Sequence, residues 1–241
     1  MNFRIIKHIV YGSIYESAGS KFSYIIFFFM IVLIYLSILL GVMAVGDEKK
    51  ILSDFFIATT QLGVLFWVLI MLSNAISSDI ETKRIYLILS RPVKKYEYLL
   101  ARFAGIIISS MLITIFITIV FFILLSVKKY VFDWNYILEI FKVFVKICVI
   151  SSISLFFTVI TTSMYSSFII SIMLWFVSHF VGELKFALDK VKGFFYFFKY
   201  LLYLLPDFSL FDKTGGYFYM FVYFALFFII SLMVFEKQDI Y

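Results

Sequence analysis

The chain has 241 residues, 64% of them hydrophobic and 22% aromatic, with only 15% charged and a formal net charge of +6. Soluble domains carry about 25% charge and about 45–50% apolar residues, so the excess must be covered by lipid and the chain reads as an integral membrane protein. Ten glycines and two prolines exclude a collagen-like or Pro-rich chain, and a single cysteine excludes an internal disulfide, an iron–sulfur cluster or a thiolate zinc site.

Residues 1–20 set Phe3, Ile6, Val10 and Ile14 on one helical stripe, with Arg4, Lys7, His8 and Tyr11 elsewhere. This pattern predicts a helix lying in the headgroup region; a frayed polar tail is the competing reading. The first apolar run, residues 22–45, has 24 residues, against about 7–15 for the core of a secretory signal, so no cleavable leader is expected.

Crossing about 30 Å of hydrocarbon takes about 20 apolar residues in a helix, which satisfies its own backbone groups. Residues 22–45, 55–78, 103–127 and 214–235 each supply one such run. Residues 147–182 would make one helix of about 54 Å, so they are expected to form two spans. The polar cluster Thr161, Thr162, Ser163, Ser166 and Ser167 is the place for the break. Six spans put both termini on one side. Residues 193–206, carrying Lys199, are too short to span and read as re-entrant or interfacial.

Orientation does not follow from charge alone, because the two sides would hold ten and eleven Lys and Arg residues. The densest cluster, Lys83, Arg84, Arg91, Lys94, Lys95 and Arg102, favours a cytoplasmic loop between spans 2 and 3.

The sequence lacks a Gly-x-x-x-x-Gly-Lys-Ser/Thr loop for nucleotide phosphates and a His-Glu-x-x-His pair. Its two histidines, His8 and His179, are too few for a metal site. The reading is therefore no catalytic residue, no metal and no cofactor; the chain is not an enzyme, and any ATP hydrolysis belongs to another subunit. No charge falls near the centre of a span, which argues against an ion-coupled carrier. Gln61, Asn74, Ser151, Ser152, Ser154 and Thr158 either line a path or let helices approach and bond one another, and His179, which could touch a substrate, reads more readily as a packing or interfacial residue.

Residues 77–105 carry the most information. Asp79 and Glu81 stand at the start and basic residues toward the end, as the dipole of a short helix favours. Pro92 should stop that helix near Ser90. Ile85, Leu87, Ile88 and Leu89 are too apolar for a solvated loop and too few for a span. Two readings fit: an interfacial anchor, or a docking helix with an apolar ridge and a basic rim.

The run Leu89-Ser90-Arg91-Pro92-Val93-Lys94-Lys95, followed by Glu97-Tyr98-Leu99-Leu100-Ala101-Arg102, resembles the signature loop of ABC-2 type transporter permeases. It is most similar to the branch that includes the permease of the nitrous-oxide reductase maturation system, with Ala101-Arg102 standing where that branch has Gly-Lys. Leu204-Leu205-Pro206-Asp207-Phe208-Ser209-Leu210-Phe211 and Phe235-Glu236-Lys237-Gln238-Asp239 resemble two further stretches of these permeases, Gln238 departing from the usual base.

The resemblance implies a single all-α transmembrane domain over residues 1–241. It has six transmembrane helices, an interfacial helix at 1–20, a cytoplasmic coupling helix in the 79–99 loop and short re-entrant helices within 183–213. It also implies the permease subunit of an exporter in the cytoplasmic membrane, with both termini cytoplasmic. Its partners would be a separate ATP-binding cassette ATPase, a second copy or related permease, and lipid, but no nucleic acid. Glu81, Arg84 and Arg91 would then be the polar docking contacts, Ile85 and Leu89 the apolar ridge, and Pro92 the helix stop. A non-transporting scaffold recruiting a cytoplasmic partner through the same loop is the alternative.

Overall fold

The computed structural model describes residues 3–43, 48–85, 93–130, 134–189, 202, 205–212 and 215–238. Among the described residues, helix α1 (Phe3–Ala18) precedes six helices that are long and apolar enough to cross a membrane: α2 (Lys21–Met43), α3 (Glu48–Glu81), α4 (Lys95–Val127), α5 (Asn135–Thr161), α6 (Met164–Asp189) and α7 (Gly216–Lys237). A 3₁₀ turn, Phe208–Asp212, sits between α6 and α7. The expected break inside 147–182 is present: α5 ends at Thr161, Thr162 takes a left-handed φ of 51°, and α6 begins at Met164.

Which helices form the centre follows from their polarity. The apolar stretches of α3 and α5 are each 61% buried, against 17–33% in α2, α4, α6 and α7. Both central helices also carry buried hydroxyls that bond to a neighbouring helix. Ser73 Oγ donates to Ser167 Oγ at 3.2 Å, Thr158 Oγ1 lies 2.5 Å from Ser167 Oγ, and Thr158 and Ser167 both donate to the Ser154 carbonyl. Those bonds join α3, α5 and α6, and all three side chains are fully buried, so this seam is helix-to-helix adhesive. The amide nitrogen of Gln61 donates to His179 Nε2 at 3.0 Å, which leaves His179 Nδ1–H to bond the Trp175 carbonyl at 3.0 Å. His179 packs, as its sequence context suggested.

The outer helices turn aromatic side chains away from the bundle: Tyr24, Phe28 and Tyr35 on α2 and Phe218 and Phe221 on α7 are exposed. At one end of the bundle Glu48 accepts from Lys128 Nζ and from the Tyr130 hydroxyl, each at 2.7 Å, tying the start of α3 to the end of α4. That bond to a carboxylate raises the Tyr130 phenol above its ordinary range.

Two features depart from the sequence reading. No new helix starts at Asp79; α3 continues through Glu81, a helix of 34 residues, so Asp79 and Glu81 lie in its last turn. Likewise α4 begins at Lys95, which places Arg102 inside a spanning helix instead of in the loop. Charged residues mark the edge of a span only when they face water, and Asp79 and Arg102 are both buried.

A clasp at the start of the fourth helix

The polar residues of the α3–α4 end are held by one face of α4. Lys95, Tyr98 and Arg102 recur at three- and four-residue intervals and so share that face. Lys95 Nζ donates to the Gln238 carbonyl at 2.9 Å, just beyond α7. The Tyr98 hydroxyl donates to Asp79 Oδ2, and its ring stacks on Phe235 of α7 with centroids 6.3 Å apart. Arg102 donates to the same Asp79 oxygen from Nε at 2.9 Å and also from Nη2. From Nη1 it reaches α1, donating to Ser13 Oγ at 3.2 Å and Glu16 Oε2 at 2.5 Å. Three helices are thereby lashed to the first two turns of α4.

The electrostatic logic is direct. A carboxylate in the last turn of a helix faces the negative end of the macrodipole, and Asp79 side-chain exposure is 0%. Such a charge is tolerated only when a cation and hydrogen bonds compensate it. Arg102, at 8% side-chain exposure, supplies two of those bonds from a planar fork.

Helix α1 reaches this clasp because small residues let it lie close to α4. A Cβ added at Gly105 would meet Ser13 Cβ at 2.7 Å and the Val10 carbonyl at 2.9 Å, so only glycine fits the crossing. One turn further on, Ser17 Oγ donates to Ser109 Oγ at 3.3 Å. The buried line of α1 is thus Ile6, Ser13 and Ser17, while Val10 and Ile14 of the expected stripe are half-buried. Two hollows flank the contact. One of about 580 Å³ is lined by Gly12, Tyr15, Glu16 and Arg102, and one of about 280 Å³ by Ser17, Ser20, Asn74 and Arg102.

Beyond α3 the chain turns sharply. Thr82 Oγ1 donates to the Ser78 carbonyl at 2.5 Å, Lys83 N–H donates to the Ile80 carbonyl at 3.1 Å, and Lys83 adopts φ 58°. A left-handed residue past the last turn is a common way for a helix to stop. This stop delivers Arg84 to α1, where its Nη1 donates to Glu16 Oε1 at 3.2 Å. Of the residues expected to dock a partner, Glu81 and Arg84 are exposed. Ile85 is 0% exposed and belongs to the main hydrophobic cluster. It anchors the segment from beneath, a correction to its expected place on an outer ridge. Leu89, Arg91 and Pro92 lie outside the described residues.

The opposite end has its own polar fixture. Asp207 is 3% exposed. Its Oδ1 accepts from Ser209 N–H at 3.1 Å and Ser209 Oγ at 2.6 Å, its Oδ2 from Lys185 Nζ at 3.1 Å, and its own N–H donates to the Tyr219 hydroxyl at 3.2 Å. The 3₁₀ turn is pressed against α6, since a Cβ at Gly182 would stand 2.5 Å from Ser209 Oγ. Lys146 Nζ lies 5.7 and 5.6 Å from the ring centroids of Phe208 and Phe211. Of the 183–213 region expected to be re-entrant, residues 183–189 continue α6, and 190–201 lie outside the described residues.

Among the described residues no group of His, Cys, Asp and Glu could hold a metal ion. Residues 42–191, well over half the chain, match the family model described as ABC-2 family transporter protein. The match takes in the end of α2, all of α3 to α5 and α6 as well, and includes Asp79, Arg84 and Arg102 but not Glu16. No curated protein matches the chain.

Proposed function

The chain belongs to the ABC-2 transporter family and is a permease component of an ABC transporter; we propose that a separate ATP-binding cassette ATPase docks on the loop between α3 and α4 and drives it. The loop carries the docking set: Glu81, Arg84 and Arg91 as polar contacts, Leu89 as the apolar contact, Pro92 as the helix stop and Ile85 as the internal anchor. Loop and termini then face the cytoplasm, and two permease chains, identical or related, pair around the path in the cytoplasmic membrane. The Leu89–Lys95 pattern supports a place beside the permeases of the nitrous-oxide reductase maturation branch, and the direction we propose is export.

The observation that carries the reading is the Asp79–Arg102 pair. It joins the last turn of α3 to the second turn of α4, the two helices that bracket the loop. A load applied to the loop by closing ATPase subunits is passed to both helices as one body, and α1 follows through Glu16. Nucleotide shifts such an equilibrium only by the difference in its contacts between the two states. Hydrolysis itself belongs to the ATPase, because this chain has no phosphate-binding loop.

The test is co-expression with candidate ATP-binding cassette subunits that carry a Walker A motif. Arg84→Glu with Arg91→Glu is expected to leave the permease in the membrane and abolish co-purification of the ATPase. Retention of the complex with undiminished permease-dependent ATP hydrolysis in proteoliposomes would refute the docking site. Hydrolysis indifferent to this chain would instead favour a scaffold.

A further inference from the structure

Glu16 divides its carboxylate between two arginines of different exposure. Oε2 takes Arg102, whose side chain is 8% exposed, and Oε1 takes Arg84, at 59%. Glu16 itself is 48% exposed. The two bonds are therefore unequal in permanence: the inner one ends on a buried guanidinium that Ser13 and Asp79 also hold, and the outer one joins two exposed side chains and exchanges readily. Arg84 can leave without disturbing α1, because Glu16 keeps its bond to Arg102 and α1 keeps its seat on Gly105 and Ser109.

From this geometry we infer that the group which Arg84 receives from the docking ATPase is a carboxylate, and that Glu16 holds the place of that carboxylate while the subunit is absent. The inference rests on the docking reading above and adds the chemistry of the contact. Arg84 presents a guanidinium fork suited to a carboxylate, and the turn at Lys83 aims it at the flank of α1. Docking is then a partner exchange, Glu16 for an Asp or Glu of the ATPase. The self-contact lowers apparent affinity by the fraction of molecules in which Arg84 is engaged.

The test is a double-mutant cycle on the permease in nanodiscs, reading the Kd for the purified ATPase subunit. Glu16→Gln removes the competitor and is expected to tighten binding by about two- to fivefold, the range for an exposed ion pair. Arg84→Gln is expected to weaken binding, and adding Glu16→Gln to it is expected to change nothing further. A Kd that Glu16→Gln leaves unchanged or weakens overturns the inference. So does an effect of Glu16→Gln that persists in the Arg84→Gln background, because it would then act through α1 packing. Failure of the wild-type permease to bind the subunit at all would overturn the docking reading itself.

Discussion

Arg102 of α4 and Asp79 of α3 form an ion pair with side-chain exposures of 8% and 0%, and Arg102 Nε donates to Asp79 Oδ2 at 2.9 Å. Removing one member of such a pair strands the other charge, which costs about 3–5 kcal/mol, whereas removing both is far cheaper. Arg102→Met alone is expected to lower the thermal unfolding midpoint in detergent sharply. Adding Asp79→Asn should recover most of the loss, and additive losses in this cycle would show that the pair is not coupled.

The crossing of α1 over α4 depends on a position with no side chain. Gly105→Val would drive a Cβ into Ser13 and the Val10 carbonyl, and overpacking of this kind costs about 1–3 kcal/mol. The displaced element is α1, since its partner α4 is held by the rest of the bundle. A Ser17→Cys thiol in a Cys148→Ala background, buried in the parent, should then be alkylated much faster. Unchanged alkylation would mean that the crossing yields elsewhere.

Asp207 fastens the 3₁₀ turn to α6 and α7. Asp207→Ala deletes the bonds to both Ser209 donors and to Lys185 Nζ, and the expected loss is about 3 kcal/mol, as for a broken buried pair. Limited proteolysis should cut between α6 and α7 at protease levels the parent survives. Equal resistance would assign the turn's hold to Phe208 and Phe211 alone, both of which are buried.

Six spans were legible because lipid imposes a crude and reliable demand, a run of apolar residues about 20 long. The hairpin at Thr162 was legible for the same reason: 36 uninterrupted residues cannot be one span. The helix ends were not. Asp79 and Arg102 read as loop charges, and only the fold shows that each removes the other's reason to face water. The α1 contact escaped sequence reading as well, because Ser13 and Ser17 look like a solvated face until Gly105 and Ser109 supply the matching surface. Glu16 had no local signal at all; its two arginines lie 68 and 86 residues away.

The same separations bear on how the protein is made. Ser17 waits for Ser109, 92 residues later, and a ribosome adding about 5–20 residues per second needs roughly 5–20 s to reach it. During that interval α1 has been synthesised but the surface it docks on has not. The nascent α1, with Lys7 and Tyr11 on its exposed side, must spend those seconds at the membrane surface or in the care of a chaperone. Its assembly onto the bundle therefore comes well after its own synthesis.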